Sequence, residues 1–149
     1  MSLQEKIMEA MKTAMKAKDS QSLEALRSVK SALLLAQTET GAKTEITEVE
    51  EIKLLQKQVK QRKDSAAIYK EQGREDLAAP ELAQAQVIEK FLPQQLSEEE
   101  VSKIVDTIIA ETGASTMADM GKVMGLVSAQ LAGKADGKTI STAVKARLG

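Results

Sequence analysis

Neither cysteine nor histidine occurs among the 149 residues, tryptophan is absent too, and Tyr69 and Phe91 are the only aromatic side chains. Without cysteine there is no disulfide, no thiolate-held zinc and no catalytic thiol. Without histidine, every Ser-His or Cys-His arrangement is excluded. A carboxylate-only metal site would need clustered acids, and no D-x-D-x-D run is present, so neither a metal nor a cofactor is expected. No run of about 18 apolar residues exists, which excludes a membrane-spanning helix. The opening MSLQEKIMEAMK carries glutamates and lacks a continuous apolar core. It does not read as a secretory signal, and a cytoplasmic location is expected. The shortage of aromatics also argues against a β-rich fold, because strands draw on them heavily.

What is abundant is Ala, Leu, Met, Lys, Glu and Gln, the residues that lose least on entering a helix. Ser2 and Glu5 form a capping-box pattern, and Leu3, Ile7, Met11, Ala14 and Met15 follow at helical spacing. The segment from Lys16 to Ser20 closes this helix and caps a second, carrying Leu23, Leu26, Val29, Leu33 and Leu34, which should end near Thr40-Gly41. Thr47 and Glu50 repeat the capping box before Ile52, Leu55, Val59 and Ala66, and Gly73 suits the end of this third helix. A fourth carries Leu77, Leu82, Ala85, Ile88 and Phe91; it begins near Asp76 or, because of Pro80, as late as Pro80 itself.

Leu92-Pro93-Gln94-Gln95-Leu96 interrupts the pattern and is read as a hinge, since proline biases the residue before it out of the helical region. Beyond it, Ser97 and Glu100 give a third capping box. Val101, Ile104, Val105, Ile108 and Ile109 then recur with the sharpest amphipathic spacing in the chain, and Gly113 stops the helix. Met120, Val123, Met124, Val127 and Leu131 define a sixth helix; Ile140, Ala143, Val144 and Leu148 define a seventh. Met117, Met120 and Met124 are read as core rather than as a binding groove. No segment alternates at strand period. The expected fold is all-α: an N-terminal four-helix part over residues 1–92, then a C-terminal three-helix bundle tail over 97–149.

The stretch GKADGKT, Gly133 to Thr139, comes close to a phosphate-binding loop of the form G-x-x-x-x-G-K-[ST]. It is one residue short. A helix, not a strand, precedes it, and no strand is available to hold the loop or a partner acid. It reads instead as a helix-to-helix turn, with Gly133 ending one helix and Asp136 capping the next. Lys134 and Lys138 then flank a helix N-terminus, where they either hold a phosphate or are simply solvated.

The charge is unevenly spread beneath a formal net of −1. Lys53, Lys57, Lys60, Arg62, Lys63, Lys70 and Arg74 face only Asp64 and Glu71 within their segment. From Asp119 to the end, Lys122, Lys134, Lys138, Lys145 and Arg147 face only Asp119 and Asp136. Two basic helical segments point to a polyanion partner, or to ordinary solvated faces. Without aromatic stacking platforms, folded RNA recognised by its backbone fits better than single strands, and no DNA partner is expected. Arg62 and Lys63 sit at the two edges of the apolar sector of the third helix. Snorkelling, or a structural ion pair with Glu81 or Glu89, is preferred over a catalytic role. No catalytic constellation emerges.

The run KQRKDSAAIYKEQGREDLA from Lys60 and the run FLPQQLSEEE from Phe91 resemble the YqeY family. The tail MGKVMGLVSAQLAGKADGKTISTAVKARL, from Met120, is similar to the C-terminal tail of the B subunit of the tRNA-dependent Asp/Glu amidotransferase. The resemblance covers essentially the whole chain and departs at Ala79-Pro80. It implies a helical N-terminal part and a three-helix tail that meets the outer corner of tRNA, away from any reaction. Carried over, it implies RNA contact by Lys122, Lys134, Lys138, Lys145 and Arg147, with Lys57, Lys60, Arg62, Lys63 and Arg74 as a secondary basic face. It also implies association with a carbon–nitrogen ligase that uses glutamine as amido-nitrogen donor. That enzyme's ATP site and glutaminase centre have no counterpart here. The expectation is a non-catalytic protein that binds tRNA or assists a tRNA-handling enzyme. The alternatives are a protein–protein adaptor working through the N-terminal bundle, and an accessory component of the ligase.

Overall fold

The computed structural model describes residues 2–39 and 46–148. Among them the chain is all-helical. The order is α1 (Leu3–Lys16), α2 (Ser20–Glu39), α3 (Glu48–Glu71), α4 (Glu75–Glu89), α5 (Glu98–Thr112), a 3-10 turn (Met117–Asp119), α6 (Met120–Gln130) and α7 (Gly137–Leu148). The expected end of the second helix at Thr40-Gly41 lies outside the described residues. The chain divides into two compact units, Met1–Leu92 and Pro93–Gly149.

Helix starts follow the caps in the sequence. Thr47 accepts from the Glu50 amide at 3.2 Å while Glu50 accepts from the Thr47 amide at 2.8 Å, so two otherwise orphaned donors are satisfied reciprocally. Ser2 and Ser97 likewise accept from Glu5 and Glu100. Asp19 begins α2: its carboxylate takes the Ser22 amide at 3.1 Å and the Ser22 hydroxyl at 2.6 Å. Helix α4 begins at Glu75, beside the earlier of the two expected starts, with Arg74 in the N-cap position and Pro80 inside the helix. Pro80 lies in the second turn, where its missing N–H withdraws only the usual partner of the Asp76 carbonyl.

In the first unit, Ile7 and Ala14 from α1, Leu26, Val29 and Leu33 from α2, Leu55 and Val59 from α3, and Ala85 and Ile88 from α4 form one buried cluster. Burying each Leu, Ile or Val contributes about 1.5–3 kcal/mol. Three residues of the apolar stripes stay outside it: Met15, Leu34 and Leu77 are 59%, 50% and 38% exposed. They sit at the margins of their stripes, and Leu34 lines a shallow groove against α1 rather than the buried cluster. The second unit has its own core of Val101, Val105, Ile108, Val123, Val127, Leu131, Ile140, Val144 and Leu148, with Met120 and Met124 packed on its edge. Met117 is not core; it is 47% exposed on the 3-10 turn ahead of α6.

Candidate nucleic-acid interface

The turn between α6 and α7 is fastened at several points. Gly133 takes φ +78°, a left-handed conformation that a Cβ would strain. The Lys134 amide returns to the Leu131 carbonyl at 2.8 Å. Asp136 caps α7, accepting from the Thr139 amide at 2.7 Å. The segment leading into α5 closes over the turn: the Leu96 amide donates to the Lys134 carbonyl at 2.9 Å, and the Gln95 side chain donates to the Gly133 carbonyl at 2.7 Å. GKADGKT is thus a fixed helix-to-helix turn with no strand before it. The Lys134 and Thr139 amides and the Gly133 and Lys134 carbonyls are hydrogen-bonded, and both lysine side chains are exposed.

Along the α5–α7 contact, the two helices meet start to start and end to end. Glu98 and Ser102 share a groove of about 370 Å³ with Lys138, Thr139 and Thr142. Asp106, farther along α5, pairs with Arg147 at 2.5 Å. Arg147, expected among the RNA-contacting residues, is therefore engaged within the bundle. Lys122, Lys134, Lys138 and Lys145 are exposed, and none makes an ion pair with a described residue. They form no single cluster. Lys122 opens α6, and Lys134 lies beyond that helix's far end. Lys138 and Lys145 are seven residues apart on one face of α7, about 10 Å of helix rise. The Thr139 amide already serves Asp136, so the α7 N-terminus offers an incoming phosphate less than the sequence suggested.

Sequence reasoning missed the exposed face of α6. Gly121, Lys122, Gly125 and Ala129 line it, with Leu126 44% exposed alongside. A Cβ added at Gly121 or Gly125 would meet nothing within 4 Å, so packing inside this unit does not require glycine there. The visible signal was Gly at i and i+4 inside a helical pattern.

The second basic face is largely neutralised from within. Lys60 pairs with Asp64 at 2.9 Å, Lys63 with Glu89 at 2.6 Å, and Arg74 grips Asp76 through Nε at 3.1 Å and Nη2 at 3.0 Å. Lys57 is exposed. The ion-pair reading suits Lys63, with Glu89 as partner. It does not suit Arg62, whose partners are amides: Nε donates to Gln84 Oε1 at 3.2 Å and Nη1 to Gln58 Oε1 at 2.6 Å. No group of three or more acids that could hold a metal ion occurs among the described residues, and no described helix is long and apolar enough to cross a membrane.

The family model for Yqey-like proteins matches residues 4–148. The chain is 41% identical over 73 residues to one of the glutamyl-tRNA(Gln) amidotransferase subunits of Thermococcus gammatolerans, covering 46% of this chain and 12% of that protein. It is 34% identical over 107 residues to the mitochondrial protein "altered inheritance of mitochondria protein 41" of Clavispora lusitaniae, covering 70% of this chain and 61% of that one. The chain thus spans a small part of the first relative and under two-thirds of the second.

Proposed function

The chain belongs to the Yqey-like family, and from that premise we propose that its C-terminal unit is a non-catalytic docking module for folded RNA, with tRNA as the ligand class. The observation that carries this reading is the pair Lys134 and Lys138, two exposed lysines free of ion pairs on a turn whose backbone is fixed. A rigid mount keeps the ordering cost of docking low. Lysine Nζ groups contact phosphates without reading sequence, which suits recognition by shape. Lys145 continues the basic face along α7, and Lys122 is a separate exposed lysine at the head of α6. The smooth face at Gly121 and Gly125 would let a backbone approach α6 closely. The similarity to a glutamyl-tRNA(Gln) amidotransferase component supports tRNA as the ligand and a tRNA-handling enzyme as a companion. Any share in carbon–nitrogen ligation would come through that companion. The test is binding of bulk tRNA as salt is varied: affinity should fall steeply with salt.

A second reading rests on a different observation. Met8 and Leu34, about half exposed, join Ile7 and Leu33 in a small apolar groove between α1 and α2. An adaptor working through this face of the N-terminal unit would bind a protein partner with little salt dependence. Replacing Met8 and Leu34 with serine would weaken such a partner and leave RNA binding intact.

A further inference from the structure

We propose that the polar cluster around Arg62, in the N-terminal unit, is a binding site for an oxyanion group, a phosphate or a carboxylate. The inference concerns no residue of the tail, so it is independent of RNA docking by Lys134 and Lys138, although Arg62 belongs to the secondary basic face. Arg62 is half-buried among three helices. Each of its hydrogen-bonded partners is neutral: Gln84 Oε1 at 3.2 Å, Gln58 Oε1 at 2.6 Å and the Gln58 carbonyl at 3.3 Å. Lys60, Lys63, Arg74 and Arg147 each have a carboxylate partner; Arg62 has none among the described residues. Of the two partners expected for this helix edge, Glu89 pairs with Lys63 and Glu81 makes no ion pair with Arg62. A partly desolvated cation without a counter-ion is unfavourable, and a bound anion would relieve that.

The hydrogen-bond chemistry narrows the ligand further. A guanidinium only donates, so Gln58 and Gln84 must each turn their oxygen towards it. Gln84 is buried, only 7% exposed, and its nitrogen must then find an acceptor. It finds Gln21 Oε1 at 2.9 Å, which fixes the Gln21 amide as well. Gln58 Oε1 also accepts from the Ser28 hydroxyl at 3.1 Å. Every side-chain amide oxygen in the cluster therefore already accepts at least one hydrogen bond, and Gln58 Oε1 accepts two. What remains uncommitted is donors: Arg62 Nη2, Gln58 Nε2 and Gln21 Nε2. One cation has oriented three glutamines so that each amide oxygen is engaged and the wholly unused side-chain groups of the cluster are N–H donors. That surplus suits an oxygen-rich anion, and glutamine rather than glutamate at position 84 keeps the charge available.

The test is an NMR titration of the 15N-labelled full chain at constant ionic strength, following Arg62 Nε–H and the Gln21 and Gln58 side-chain amides. Inorganic phosphate is added in one series and acetate in another. Saturable shifts of these groups in either series support the site, and the series that saturates at lower concentration identifies the source of the oxyanion. Gln84→Glu supplies an internal carboxylate, while Gln21 can turn its amide to donate to it. This variant should bind about tenfold more weakly or worse, and Arg62→Gln should not saturate at all. Absence of saturation in both series overturns the proposal, as does unchanged affinity in folded Gln84→Glu. Should neither variant fold, the wild-type titrations decide alone.

Discussion

At the scale of single residues, the tail is held by short polar side chains whose charge state can be followed. Asp119 accepts from the Ser115 amide at 3.1 Å and the Thr116 amide at 3.4 Å, and these bonds hold its carboxyl below the usual range of about 3.9. Asp19 is lowered by Ser22, and Asp76 by Arg74. The unfolded chain binds protons at these sites before the folded chain does. Their contribution is therefore fully present above the ordinary carboxylate value and is lost as pH falls through the lowered folded values. Carboxyl titration by NMR should place all three below exposed reference aspartates. Asp136 is a different case, because its carboxylate caps α7 and also lies between Lys134 and Lys138 in sequence. Asp136→Ala should cost the tail about 1 kcal/mol in urea unfolding. Asp136→Asn should keep the cap, since asparagine serves as well in that position, and should tighten RNA binding by removing a negative charge beside the two lysines.

At the scale of elements, α6 offers the sharpest separation of stability from function. Gly125 lies mid-helix, exposed, with open space where a Cβ would stand. Gly125→Ala should therefore stabilise the protein by about 0.5–1 kcal/mol in thermal unfolding. If the smooth face meets the RNA backbone, the stabilised variant should nonetheless bind more weakly. Between α5 and α7, Arg147→Ala removes an exposed ion pair worth about 0.2–1 kcal/mol and should change RNA affinity less than either lysine does. The elements themselves were legible in the sequence. The boxes at Ser2, Thr47 and Ser97 mark three helix starts, Gly73 and Gly113 mark two ends, and the stripe through Val101, Val105 and Ile108 is buried as its spacing predicts. Periodicity tells which face of a helix is apolar, but not how wide a neighbour covers it. Met15, Leu34 and Leu77 were misplaced for that reason, and Met117 because it lies on the 3-10 turn ahead of α6. Pairing across helices was harder still: Arg62 meets Gln84 22 positions away, and Gln84 meets Gln21 63 positions away. Local spacing carries no sign of either contact, nor of Arg147 spending its charge on Asp106.

At the scale of the whole molecule, a formal charge of −1 conceals a final stretch, from Asp119 onward, whose lysines outnumber its acids. Each of the two compact units has a separate hydrophobic core. A tail with its own core should keep its binding surface when detached. A fragment spanning 93–149 is expected to be helical by circular dichroism and to retain most of the RNA affinity of the full chain. The most direct test of the central claim is the affinity of the full chain for bulk tRNA across a series of salt concentrations, measured beside Lys134→Glu/Lys138→Glu. The double variant is expected to bind about tenfold more weakly or worse, equivalent to about 1.4 kcal/mol, with a salt slope shallower by about two units for two lost phosphate contacts. Equal affinity and equal slope in the two proteins, or no binding by the wild type even at low salt, would contradict it.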